Sequence, residues 1–237
     1  MSGESSVRAH GLGLTVLPRE RADAVVLYLH GDRSLAGAPE PGLAFAEDLA
    51  ARTGAEVFCA GYRPHFPEAL HDARAAFEHC RTRGPVALAG RLEGAGLAAA
   101  LLLALRDEGA PGPSCAVLLT ALLDLRLDAQ SLLLNAATDA AFDLADLRAR
   151  ALAYAAGTPL GDPLLSPLLG NLHGLPPVQL QTAGTDPLLD DSIRFAGRAA
   201  RSGVDVHLRV RAGAEALHAG LAPSAAAFLT AWGARRA

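Results

Sequence analysis

The chain has 237 residues, 51% of them hydrophobic and 19% charged, with a formal net charge of −4. Such length and apolar content suit one large α/β domain with a sizeable core and exclude a disordered chain. Scattered basic residues exclude the basic stripe of a nucleic-acid groove, and no uncharged apolar run reaches the roughly 18 residues of a membrane span.

The N-terminal stretch lacks the apolar segment of an export leader, so a cytoplasmic location is expected. Cys59, Cys80 and Cys115 are odd in number and share no metal-type spacing. Free, reduced thiols are the expectation, with no metal and no cofactor.

In chain order, residues 12–18 give a short strand, and Ala24 to Leu29 a stronger one whose unbroken apolar run suits a strand covered on both faces. A helix is expected over 42–51, stopped near Gly54, then a strand over 57–60. Phe66, Ala69, Leu70, Ala73, Ala76, Phe77 and Cys80 recur at helical spacing after Pro67. A strand over 86–89 leads through a glycine-flanked turn into a helix over 94–105 that is apolar nearly all round, as a buried helix reads. Another buried strand covers 115–119.

Between Asp124 and Leu169 the pattern loosens, with a helix over 142–156 and Pro159, Pro163 and Pro167 punctuating a long loop. Connections of this length tend to be lids, so 125–170 is read as a cap over a site. Strands over 178–182 and 204–210, the latter alternating as an edge strand does, enclose a helix over 191–201. A last helix runs from Ala222 to Arg235. Strands alternating with helices imply a parallel, doubly covered sheet with its ligands at the carboxyl ends of the strands.

The turn in the middle of the chain reads Gly90-Arg91-Leu92-Glu93-Gly94. Where such a turn carries a nucleophile, the pattern is G-x-S-x-G. Here the apex is Leu92, which can neither attack a carbonyl nor pass a proton.

These residues resemble the α/β-hydrolase fold, and within it the hormone-sensitive-lipase-like branch of bacterial esterases. The resemblance rests on Tyr28-Leu29-His30-Gly31, on Tyr62 to Pro67 with Leu70 and Asp72, and on Gly90 to Gly96. It continues through Leu123-Asp124-Leu125, Asp162 to Pro167, Gly174 to Pro177, Asp186 to Asp191 and His218, in family order over nearly the whole chain. It implies a single domain, 1–237, built on a doubly covered, mostly parallel sheet with a helical cap insertion. It also implies a triad whose acid is Asp186, whose histidine is His218, and whose nucleophile position is held by Leu92.

Two further departures stand out. Family members follow the histidine with a run of glycines, because backbone N–H groups must approach the developing oxyanion unobstructed. Here His30-Gly31 is followed by Asp32 and Arg33, and Asp32 puts a negative charge where an oxyanion should gather. The family also begins with a helical segment that has no counterpart before Ala24, so the site is expected to be more open there or closed by a partner subunit.

Asp186 orienting His218 as a general base is the catalytic expectation. Both are otherwise relics whose hydrogen bonds only hold their loops. Leu92, Gly31, Asp32, Arg33 and Glu93 are the expected substrate-binding residues. For Glu93 and its neighbour Arg91 a solvated or salt-bridged role is the simpler expectation, and Asp32 with Arg33 forms a pair that either faces the site or satisfies itself.

The resulting reading is a non-hydrolytic tailoring enzyme acting on a small apolar organic substrate by cyclisation, elimination or isomerisation. An inactive hydrolase homologue that binds or senses a ligand is the alternative, and an esterase using water activated by His218 is the second. Similar proteins dimerise through an edge strand such as Val204 to Val210, which gives a homodimer as the partner expectation.

Overall fold

The computed structural model describes residues 6–18, 24–32, 35, 38–140 and 142–233. Eight strands form one sheet: β1 (Ser6–His10), β2 (Gly13–Leu17), β3 (Val25–Leu29), β4 (Glu56–Ala60), β5 (Val86–Arg91), β6 (Ala116–Leu119), β7 (Val178–Ala183) and β8 (Val206–Arg211). Their order is β1-β2-β4-β3-β5-β6-β7-β8. Only the β1–β2 and β2–β4 pairs are antiparallel, and the rest run parallel.

Seven α-helices are described: α1 (Leu43–Thr53), α2 (Glu68–Arg81), α3 (Glu93–Asp107), α4 (Ser131–Leu134), α5 (Leu144–Ala155), α6 (Leu189–Arg201) and α7 (Ala214–Trp232). Side chains alternate across each strand, so β5 sends Val86 and Leu88 into a core shared with α2, α3 and α6. Ala87 and Ala89 point the other way, into a core shared with α1 and α7. Helix α3 is buried almost entirely, with Leu101, Leu102, Leu103 and Leu105 each no more than 2% exposed. Each such side chain stabilises the fold by roughly 1.5–3 kcal/mol relative to exposure.

A third apolar cluster joins Leu35, Leu92, Leu122 and Leu188 to residues of the 125–165 segment, among them Leu125, Leu132, Leu147 and Leu165. That segment runs between β6 and β7 and contains α4 and α5.

Three elements depart from expectation. Strand β1 is exposed at all five positions and is defined by pairing with β2 rather than by any apolar pattern. Helix α4 is a single short turn whose Leu133 and Leu134 face solvent. Helix α7 begins at Ala214, well before the expected Ala222, and carries Pro223 in its interior. Its first turn is Ala-Glu-Ala-Leu, all strong helix formers, and Gly220 and Pro223 disguise its continuity.

Candidate functional site

The turn between β5 and α3 keeps the geometry of a strand-to-helix elbow although its apex is leucine. Leu92 has φ 53° and ψ −123°, a conformation that costs a non-glycine residue on the order of 1–3 kcal/mol. Backbone bonds hold it there. Leu92 N donates to Leu119 O (3.0 Å), and Leu92 O accepts from Ala95 N (3.1 Å), Gly96 N (3.3 Å) and Leu122 N (3.1 Å). Its side chain is 8% exposed and packs in the third apolar cluster.

Glu93 does not take the solvated position expected of it. It is 7% exposed, and its Oε1 accepts from Asp32 N and from Leu35 N, each at 3.0 Å. A carboxylate thus occupies the N–H groups of the loop that would face an oxyanion. Gly31 fits the arrangement, since a Cβ there would lie 2.5 Å from the Glu93 carboxylate and 2.7 Å from Arg91 O. The Asp32 side chain is exposed, and Arg33 lies outside the described residues.

Around Glu93 are two phenols, the buried Tyr62 and the partly buried Tyr154. Burial first, and the Glu93 carboxylate second, hold the hydroxyls of Tyr62 and Tyr154 above their usual range. Tyr62 Oη donates to His30 O at 2.6 Å. The cavity bordered by Tyr62, Glu93, Tyr154, Leu97 and Leu122 has about 20 Å³ of free volume, room for roughly one water molecule. Larger hollows, of about 490 and 500 Å³, lie beside the β1–β2 hairpin and beside Trp232. Neither is bordered by Leu92, Asp186 or His218.

His218 is exposed and lies in the second turn of α7 rather than on a loop. Its Nδ1 is 3.0 Å from Ala214 O and its Nε2 is 3.4 Å from Arg91 Nη2. A carbonyl only accepts and a guanidinium only donates, so these partners assign the proton to Nδ1 and the lone pair to Nε2. The ring is therefore engaged by Ala214 and Arg91, and Asp186 is not among its partners. Asp186 Oδ1 accepts from Leu188 N at 2.8 Å, at the entry to α6.

Helix α4 anchors that loop. Asn135 Nδ2 donates to Gly184 O (3.2 Å) and Asp186 O (2.9 Å), and Ser131 Oγ donates to Pro187 O (2.8 Å). Arg91, Asn135 and Tyr154 are thus site residues to which the motifs gave no site role, and Tyr62 entered only as a landmark of the fold. Arg91 had a signal in its place beside the apex and Tyr62 in its motif, whereas Asn135 and Tyr154 had none. Among the described residues no three His, Cys, Asp or Glu side chains gather to hold a metal.

A family model described as alpha/beta hydrolase fold matches residues 26–219. An acetyl-hydrolase of Streptomyces hygroscopicus is 38% identical over 199 residues, covering 81% of this chain and 67% of that protein. An esterase of Acinetobacter venetianus is 31% identical over 214 residues, covering 85% and 69%. A solved esterase of the bacterial hormone-sensitive lipase family superposes with a TM-score of 0.88 at 29% identity, over 98% of this chain and 86% of that one. The chain thus spans about two thirds of the length of these two curated relatives.

Proposed function

Because the chain belongs to the alpha/beta hydrolase fold family, we propose that it is a hydrolase homologue that forms no acyl-enzyme and instead binds a small, mostly apolar molecule at the Leu92 turn when the 125–165 segment packed over that turn opens. The observation that carries this reading is the pairing of Leu92 with Glu93. The apex atom cannot attack, and the neighbouring carboxylate already accepts the Asp32 and Leu35 N–H groups. An oxyanion arriving there would meet occupied donors and a like charge, the reverse of what acyl transfer needs. Residues 125–170 act as the lid of this site, and two copies pair through the open edge of β8.

The names of the relatives, acetyl-hydrolase and esterase, favour hydrolysis for the family and lend nothing to cyclisation, elimination or isomerisation. Proton transfer by His218 would also require its ring to leave Ala214 and Arg91. Hydrolysis by water activated at His218 is the second reading, favoured by those names alone.

One series tests both. Wild type, Leu92→Ser, Glu93→Ala and the double variant are assayed on p-nitrophenyl acetate and butyrate, after circular dichroism shows each is folded. Wild type and Leu92→Ser should stay at the buffer rate, and the double variant should exceed Leu92→Ser by about a hundredfold or more, the scale of one restored oxyanion interaction. Turnover by wild type that His218→Ala abolishes would establish the second reading. Robust turnover by Leu92→Ser alone would refute the role given to Glu93.

A further inference from the structure

We propose that Arg91, with His218 and His30 beside it, forms an anion subsite that holds the carboxylate of a small organic acid. This rests on the reading above that the centre binds rather than acylates, and it names the polar group of the ligand.

The alternation of β5 turns Arg91 towards the same face as Ala87 and Ala89, beneath α1 and α7. Among the described residues no carboxylate pairs with its guanidinium. Its Nη2 has only the long contact with His218 Nε2, at 3.4 Å, and its Nε is buried without a hydrogen-bond partner. Glu93, the nearest acid in sequence, is committed to Asp32 N and Leu35 N. A half-buried cation left without a counter-charge is unfavourable unless a ligand supplies one.

Two imidazoles and a phenol stand near the guanidinium. His30 lies close enough that, after burial, the Arg91 charge is the main influence holding its imidazole below the usual value, against an opposing pull from Asp32. Tyr28 Oη is 3.1 Å from His30 Nδ1 and also feels the Arg91 charge. A planar carboxylate matches the guanidinium fork, in which Nε and one Nη donate side by side. His218 is exposed, which gives the site an approach from solvent.

The experiment is a titration of the ¹⁵N-labelled protein with acetate and butyrate at constant ionic strength, with chloride as the balancing anion. The arginine Nε–H and histidine ring resonances are followed. Arg91 Nε and the His218 ring should shift saturably with either acid. Arg91→Gln should abolish the response at His218, and Arg91→Lys, which keeps the charge and loses the fork, should weaken binding by about tenfold.

Arg211 is the internal reference, because its Nε is also buried and partnerless while its guanidinium is covered by Gly220. No saturable shift at Arg91 Nε, an equal shift at Arg211, or unchanged binding in Arg91→Gln would overturn the subsite. If Arg91→Gln does not fold, the wild-type titration with Arg211 as reference decides. Ester turnover by wild type would overturn the non-acylating function and leave these titrations to judge the subsite by themselves.

Discussion

Asp191 and Asp124 are neighbouring carboxylates that their surroundings drive apart. Asp191 is 3% exposed and its Oδ2 accepts from Leu123 N (2.7 Å) and Asp124 N (3.0 Å). Burial, with Asp124 adding to it, pushes its carboxyl up to about 7 against those two bonds. Burial also acts upward on Asp124, yet bonds from Arg126 and the charge of Arg194 hold it below the usual carboxylate value. A folded value above the unfolded one means that the folded state holds the extra proton between about pH 4 and 7, so this group costs stability as pH rises through that window. In urea titrations wild type should therefore lose stability relative to Asp191→Asn from about pH 4 to 7, and parallel curves would show that the group is not perturbed. At the Leu92 turn, the expected triad positions were Leu92, Asp186 and His218, and Glu93 was among the expected substrate-binding residues, although a solvated or salt-bridged role was the simpler expectation for it. The contacts that give the turn its chemistry come from Glu93 and Arg91, whose roles depend on partners distant in the chain.

At the scale of elements, the β5–α3 unit depends on close backbone approach. A Cβ on Gly94 would lie 2.1 Å from Leu29 O, and one on Gly90 2.5 Å from Gly94 O, so α3 sits directly against β3 and β5. Gly94→Ala should destabilise the fold by roughly 3 kcal/mol, the upper part of the overpacking range. Gly112→Ala, with nothing within 4 Å, should change it by no more than about 0.5 kcal/mol. Chemical denaturation of both variants provides the check, and equal effects would contradict the packing argument. This glycine pattern was legible because Gly90 and Gly94 flank a short strand-to-helix turn and stand close together in the chain. Helix α7 was legible only in its second half, and the missing first half moved His218 from a loop onto a helix face. There its Nδ1 faces the carbonyl four residues back, a partner that no motif comparison supplies.

At the scale of the whole molecule, the sheet formed by the described residues ends in two strands with open edges, β1 and β8. On β8, Leu208 is 38% exposed and Val210 48%, and Ile193 of α6 is 44% exposed. If two copies pair there, as proposed, Leu208→Lys with Val210→Lys should convert a dimer to a monomer in sedimentation velocity, since lysines on an edge oppose strand addition. A monomer already in wild type would remove the dimer. The sequence by itself determined seven of the eight strands, because strand and helix periodicity are local properties of the chain, and its motifs pointed to the fold family that the comparisons show. Only the tertiary structure decided where the carboxylate of Glu93 and the guanidinium of Arg91 go. Those contacts join residues 61 and 127 positions apart, and folding brings them together through the order in which the strands are laid side by side.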